Sequence, residues 1–327
     1  MFGTQSLKQS DRIVGRVAAD VPCLDAQQVL RAGPEERAAL VADIRNACRH
    51  YGFFYLSNWA DAIGYGVLTQ MQDFFERPDD DPVKQAVARN NSELGWRPQF
   101  SEPAYQPGTR AHMESFDVGL EMVDGSGYQD AWPELNGFRN AVSDCWSQFS
   151  ALGMSTLSLL SEAVFNDPAF LPRNCGDHSL NTLRLLHYPA NDKPACDRNV
   201  GISAHTDFEC MTFILQTAPC LELAGGQQDW LDAPAHDGRL VVMLGDMLER
   251  WTNGQQKATA HRVRNTPEQR FSVVMFFAVD PDVEVTPLDD FVSVETPAAY
   301  PPIYQEAHMD AEIAQAKANA RTSQATP

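Results

Sequence analysis

His205-Thr206-Asp207-Phe208-Glu209-Cys210-Met211-Thr212-Phe213-Ile214-Leu215 sets a histidine and an aspartate two positions apart, just before an apolar run. In an extended chain alternate side chains share a face. His205 and Asp207 are therefore expected to project together, with Thr206 pointing away. The run 211–215 reads as a short buried strand, and 183–188, 221–223, 240–244 and 271–279 read the same way. The first of these stops at Pro189, and Gly225-Gly226, Asp237-Gly238 and Asn253-Gly254 supply turn signals. Short strands at this spacing predict an antiparallel barrel or jelly roll.

Toward the N-terminus the texture changes. Residues 21–25 suggest a short strand. Pro34-Glu35-Glu36 opens a helix, with acidic residues at its positive end and Leu40, Val41, Ile44, Ala47 and Cys48 at helical spacing. The aromatic run 51–56 suggests a buried strand, 62–75 a helix that stops before Pro78, and 79–112 a long irregular connection. A long helical pattern covers 138–164. Another covers 304–320, followed from Arg321 by a polar tail expected to be disordered. The predicted class is α+β with a mainly β core: an N-terminal helical region over 20–135, a β core over 180–283 and a C-terminal helix. The helices need a surface on which to bury their apolar faces, and the outside of the barrel provides one, so the chain is expected to form one compact unit.

The chain has 327 residues, 43% of them hydrophobic, and a formal net charge of −19. That acidity argues against nucleic acid as a partner, because phosphate binding needs basic patches. No apolar run reaches the roughly 18 residues that span a membrane, and residues 1–16 lack the apolar stretch of a secretory signal. A soluble cytoplasmic protein acting on a small molecule is expected, with its oligomeric state open. The seven cysteines are scattered, without a C-x-x-C pair, and read as free thiols rather than a zinc site.

The chemistry lies in a combination. An H-x-D pair alone is common by chance and is more often a pair of solvated loop residues. Here His261 follows on a later strand edge, after the Asn253-Gly254 turn, and Arg270-Phe271-Ser272 opens the most hydrophobic strand. Two imidazoles and a carboxylate, with no thiolate, suit Fe(II) and leave ligand positions open. Arg270 and Ser272 share a face of their strand. By itself Arg270 would read as an ordinary salt-bridge residue. Beside the triad, a buried guanidinium calls for a ligand carboxylate, with the Ser272 hydroxyl as a second donor. Iron with a carboxylate anchor implies an oxo-acid co-substrate.

Further stretches carry a family likeness. They are Tyr51-Gly52-Phe53-Phe54-Tyr55-Leu56-Ser57-Asn58, Phe74-Phe75 with Lys84 beyond it, and Glu114-Ser115-Phe116-Asp117. Leu183-Arg184-Leu185-Leu186-His187-Tyr188-Pro189 and Gly245-Asp246-Met247-Leu248 with Thr252-Asn253-Gly254 join them. With the triad, they make the chain resemble the 2-oxoglutarate- and Fe(II)-dependent dioxygenases of the isopenicillin N synthase-like group over roughly 20–300. The resemblance implies a double-stranded β-helix core, a distorted jelly roll. It implies that His205, Asp207 and His261 bind Fe(II), and that Arg270 and Ser272, with Tyr188, hold the distal carboxylate of 2-oxoglutarate. O2 would be the other co-substrate, and the outcome hydroxylation, desaturation or cyclisation of a small organic substrate. Asp207 is retained where family halogenases carry a small residue, which disfavours halogenation. Trp59 replaces a histidine usual after Asn58, at a position that is not a ligand.

Arg184 shares a face with Leu186 and Tyr188 and is a candidate for reading the substrate, against a plain salt bridge at the barrel wall. Glu209, Phe208 and Trp251 are further candidates, followed by Arg97 and His112. Glu209 could equally pair with a neighbouring strand. His50, His178, His187, His236 and His308 lack a partner pattern and read as structural or surface. Two rival readings stand beside the first: an Fe(II) oxidase of the isopenicillin N synthase type that does not use 2-oxoglutarate, and a non-catalytic metabolite-binding barrel.

Overall fold

Asp25 closes the first strand and caps the first helix, its carboxylate accepting from the amides of Gln27 and Gln28 at 2.7 and 3.3 Å. The computed structural model describes residues 21–59, 61–89, 94–191, 200–224, 230–233, 235, 239–265 and 267–324. The sequence readings at 1–16, Gly225-Gly226, Asp237-Gly238, Cys196 and His236 lie outside the described residues.

The chain begins with β1 (Cys23–Asp25), α1 (Ala26–Arg31), α2 (Pro34–His50), β2 (Phe53–Ser57), α3 (Asp61–Phe75) and α4 (Pro82–Ala86). It continues with β3 (Gly95–Arg97), β4 (Glu114–Gly119), α5 (Leu120–Asp124), α6 (Phe138–Phe165) and α7 (Phe170–Asn174). The core strands are β5 (Thr182–Tyr188), β6 (Ile202–His205), β7 (Met211–Gln216), β8 (Leu221–Ala224), β9 (Trp230–Asp232) and β10 (Leu240–Leu244). After α8 (Asp246–Trp251) come β11 (His261–Val263), β12 (Arg270–Phe277), the pair β13 (Glu284–Val285) and β14 (Ile303–Tyr304), and α9 (Gln305–Gln324).

Two sheets form the core. The larger has the order β1-β2-β10-β7-β12-β5-β4-β3, the smaller β6-β11-β8-β9. Apart from β1 beside β2, the pairings are antiparallel. This is the jelly-roll arrangement expected from the spacing of the strands. The N-terminal strands extend the larger sheet, with β2 pairing to β10 in the register Leu56↔Leu240.

Helices cover the outer face of the larger sheet. Phe149 of α6 meets Phe213 of β7 at 6.0 Å between ring centroids, and Phe213 meets Phe277 of β12 at 4.9 Å. A Cβ at Gly153 would lie 2.1 Å from the Phe277 ring, so a residue without one lets α6 approach β12. Trp59 packs on Phe149 at 4.9 Å, and Phe53 and Phe54 are fully buried, as packing residues should be.

Three expectations are corrected. Residues 79–112 are not wholly irregular, since they hold α4 and β3. The tail from Arg321 continues α9 to Gln324. The strand β4 escaped the hydrophobic pattern because Glu114, Ser115 and Asp117 are polar yet buried.

The reason those polar residues are buried is pairing. Glu114 accepts from Lys84 Nζ at 3.0 Å, Trp96 Nε1 at 2.7 Å and His187 Nδ1 at 2.8 Å. Burial opposes its ionisation, but His187, Lys84 and Trp96 overcome it and hold its carboxyl below the usual value. Lys84→Met should cost about 3–5 kcal/mol, because it strands a buried carboxylate. Denaturant unfolding measures this, and a loss under about 1 kcal/mol would show that the pair does not support the fold. A depressed carboxyl contributes stability present above its unfolded value, about 4.3, and lost as pH falls through the folded one. Wild type should therefore lose that increment on acidification, and the variant, which keeps His187 and Trp96, should show a smaller one.

Candidate active site

The end of β6 meets the start of β11 with His205 directly opposite His261, their rings 4.1 Å apart. Each Nδ1 donates to a backbone carbonyl, His205 to Ser203 at 2.8 Å and His261 to Thr259 at 3.1 Å. That fixes both tautomers and leaves each Nε2 lone pair pointing inward. Asp207 Oδ1 lies 3.8 Å from His205 Nε2 and 3.6 Å from His261 Nε2. One donor atom from each of the three residues falls within 4.8 Å of the others, and among the described residues Asp207 Oδ2 is buried without a hydrogen-bond partner. Burial, and then His261, hold His205 well below the usual imidazole value, which favours the neutral ring.

The local reason differs from strand alternation. β6 ends at His205, so Asp207 sits in the following loop and Thr206, expected to face away, lines the cavity. The loop is shaped by the start of α8. The amides of Gly245, Asp246 and Met247 donate to the carbonyls of Cys210, Asp207 and Glu209 at 3.0, 2.9 and 3.1 Å. A Cβ at Gly245 would lie 2.2 Å from the Glu209 carbonyl oxygen. The Gly-Asp dipeptide thus acts as a template for the backbone that carries Asp207.

Arg270, on β12 opposite Tyr188 of β5, is 1% exposed. Its Nη2 donates to Gln216 Oε1 at 2.7 Å and its Nε to the Ala218 carbonyl at 3.2 Å, and it lies over the Tyr188 ring at 4.6 Å. None of these partners is a carboxylate. Among the described residues, its Nη1 and the hydroxyl of Ser272 are both buried without a partner. Burial pulls the Arg270 guanidinium below its usual value. Leu186, Tyr188, Ile214, Arg270, Ser272 and Val274 line the same cavity of about 170 Å³ as the triad, between the two sheets.

The far wall is charged. Arg184 reaches both oxygens of Asp117, with its shortest contact 2.7 Å, and Glu102 Oε1 at 3.3 Å. Arg97 lies 3.3 Å from Glu102 and Arg89 2.5 Å from Asp117. Burial alone would neutralise Asp117, but Arg184 and Arg89 overcome it and hold its carboxyl below the usual value. Arg184 is therefore both a wall ion pair and a cavity residue, inward with Leu186 and Tyr188 as its parity implied. Glu209 and Phe208 also line the cavity. Burial, and next Asp207, push the Glu209 carboxyl up to about 8. Trp251 does not reach the cavity. It is buried on α8 against Phe170 at 5.2 Å, because its helix turns that side toward α7. His112 stacks on Phe100 at 5.1 Å, also outside the lining. His187 and His308 are bonded to Glu114 and Asp246, as structural histidines.

Residues 179–279 match the 2OG-Fe(II) oxygenase superfamily, and residues 21–135 match the N-terminal region described as non-haem dioxygenase in morphine synthesis. The 2-oxoglutarate-dependent dioxygenase citB of Monascus ruber is 31% identical over 300 residues, which cover 82% of this chain and 88% of that protein. The chain belongs to the 2-oxoglutarate- and Fe(II)-dependent dioxygenases. The dioxygenase caaD of Aspergillus niger is 28% identical over 281 residues, covering 80% of this chain and 85% of that one. In fold, this dioxygenase is similar to a full-length Neurospora crassa protein solved in complex with alpha-KG, with a TM-score of 0.77 and 22% identity over 90% of this chain and 96% of that one. It is an oxidoreductase that uses Fe(II), 2-oxoglutarate and O2. No helix among its described residues is long and apolar enough to cross a membrane.

The residues of this dioxygenase fit those cofactors. The converging nitrogens and the orphaned Asp207 oxygen could hold Fe(II), and the orphaned Arg270 Nη1 and Ser272 hydroxyl suit a carboxylate. Sequence reasoning missed Gln216, which lies opposite Ser272 on β7 and orients Arg270, because the pairing of β7 with β12 is set only by the fold. It also missed Tyr105, whose ring stacks on His205 at 4.3 Å and 7°. Met309, Ile313 and Lys317 of α9 line the cavity as well. No local pattern marks these residues, since only the fold returns α9 to the cavity.

Proposed function

We propose that His205, Asp207 and His261 hold the Fe(II) of this dioxygenase, and that Arg270 and Ser272, assisted by Tyr188, hold the distal carboxylate of 2-oxoglutarate. The observation that carries this reading is the buried Arg270, without a carboxylate partner, in the cavity where the three metal-type donors converge. When bound, the iron and co-substrate couple decarboxylation of 2-oxoglutarate to succinate and CO2 with oxidation of a C–H bond by O2. Hydroxylation is the outcome we assign. The chain's own part is to orient and to exclude water. Gln216 aims the guanidinium, the Ser203 and Thr259 carbonyls aim the imidazoles, and Tyr105 packs flat on His205.

The primary substrate is a small organic molecule seated against Tyr105, Phe208, Glu209 and Arg184, beneath α9. Gln305 of α9 donates to the Phe208 carbonyl at 2.9 Å, and Asn319 donates to the Tyr105 carbonyl at 3.2 Å, so α9 is tied to two residues of that wall. Small ligands of this kind occur in relatives of the fold, as in the same Neurospora crassa protein in complex with alpha-KG and thymine. We treat 20–135 and 180–283 as one working unit, a reading supported by the pairing of β2 with β10.

Anaerobic titration of the apoprotein with Fe(II) and then 2-oxoglutarate tests the assignment. The expected result is one iron per chain, followed by a weak visible charge-transfer band from chelation by the oxo-acid. Iron uptake without the band would remove the proposed co-substrate role of Arg270 and Ser272, and no iron uptake would remove the triad.

A further inference from the structure

Six carboxylates are buried among the described residues: Glu102, Glu114, Asp117, Asp207, Glu209 and Glu222. Four of them are held by lysine or arginine. Lys84 pairs with Glu114 at 3.0 Å, Arg184 with Asp117 at 2.7 Å and with Glu102 at 3.3 Å, and Arg262 with Glu222 at 2.6 Å. Asp207 and Glu209, which have no such cation among the described residues, stand on one loop and both line the cavity. Asp207 converges with two imidazoles, in the manner of a metal ligand. Glu209 is left over.

Glu209 is 6% exposed. Among the described residues its carboxyl makes no ion pair, and no hydrogen bond beyond one to its own backbone amide. Its backbone is fixed, since the carbonyl accepts from the Met247 amide at 3.1 Å and Gly245 lies against it. The carboxyl feels Asp207 and Arg184, both cavity residues, so it belongs to the inner side of the loop. A buried carboxyl without a donor is unfavourable, and a ligand that brings the donor removes that cost. Charged or neutral, a carboxyl keeps an acceptor oxygen. The neighbouring surfaces are flat and apolar. Phe208 meets Tyr105 edge to face at 6.2 Å, and the Tyr105 ring lies parallel to His205 within 7°. A few placed polar groups in an apolar pocket are what orient a small ligand.

We infer that Glu209 is a specificity-determining residue: it accepts a hydrogen bond from a hydroxyl or N–H group of the primary substrate, whose flat apolar body lies against Tyr105 and Phe208. This rests on the dioxygenase reading of the triad and Arg270, which seat Fe(II) and 2-oxoglutarate in the same cavity.

The test is anaerobic binding to protein loaded with Fe(II) and 2-oxoglutarate. It is read from the broadening that the paramagnetic iron imposes on the proton resonances of each probe. The probes are pairs of matched shape that differ in one donor. Phenol with fluorobenzene and para-cresol with para-fluorotoluene test the hydroxyl, and indole with benzofuran tests the N–H. At least one donor is expected to bind about tenfold or more tightly than its partner, as when a buried polar group gains its hydrogen bond. Glu209→Leu should erase that preference. Glu209→Gln keeps an acceptor oxygen and should retain most of it. Thermal melts check the fold of both variants, and the wild-type comparison stands without them. Equal affinities in all three pairs, or no broadening of any donor, would overturn the proposal. So would a preference that survives Glu209→Leu, because the donor would then have another acceptor, or one that Glu209→Gln loses as fully. Iron content and the charge-transfer band of bound 2-oxoglutarate are measured first. A protein that takes up neither fails the underlying reading, and the proposal falls with it. A loaded protein without donor preference fails the proposal alone.

Discussion

Asp207→Ala is expected to abolish succinate formation and iron retention while leaving the melting temperature unchanged or higher. Among the described residues the Asp207 side chain makes polar contacts with His205 and His261 alone. Its Oδ2 is buried without a partner, and the loop that carries it is held by backbone bonds from Asp246 and its neighbours. Deleting an uncompensated buried carboxylate removes a desolvation cost rather than a contact. The metal lowers the barrier by at least several kcal/mol, or about a thousandfold or more in rate at about 1.36 kcal/mol per decade. Metal analysis, succinate release and a thermal melt on one preparation decide the matter. A variant with wild-type turnover would remove Asp207 from the metal site, and one that unfolds would recast it as structural.

Arg270→Met should raise the KM for 2-oxoglutarate by roughly 30-fold to several thousandfold. This corresponds to the about 2–5 kcal/mol lost when one partner of a buried charge pair is removed. The free protein should be as stable as wild type or more so. Arg270 sits fully buried over Tyr188, with Gln216 and the Ala218 carbonyl for partners and no carboxylate, so in the absence of a ligand its charge is costly. A large loss of affinity with no loss of stability is the signature of a residue kept for its ligand. An unchanged KM would place the co-substrate carboxylate elsewhere. A large loss of stability would show that Arg270 serves the fold.

How legible the site was depended on how local each signal is. His205, Asp207, His261, Arg270 and Ser272 could be singled out from sequence because residue type restricts chemistry: imidazoles and a carboxylate that can take a metal, and a guanidinium that must find an anion. The strand parity of Arg184 was also readable, since β5 is regular and its inward face includes Leu186 and Tyr188. The same argument misplaced Thr206, because β6 ends at His205 and alternation ends with it. Trp251 was misassigned because a short helix offers little periodicity from which to choose a face. The strand β4 was invisible because its buried Glu114 and Asp117 look like surface residues until their partners are known. Those partners come from elsewhere in the chain: Lys84 for Glu114, and Arg89 and Arg184 for Asp117.

By itself the sequence determined most of the apolar strands and longer helices, the jelly-roll class, a candidate metal-type donor set and an anion-seeking arginine, because each rests on nearest-neighbour geometry or on the valence of a side chain. The tertiary structure alone decided which residues enclose the cavity and what charge its wall carries. Tyr105 on His205, α9 across the cavity, and Arg97 and Arg184 sharing carboxylates with Arg89 all join segments that are distant along the chain. Burial and pairing set the energy of a charge, and neither can be read until the chain has closed on itself.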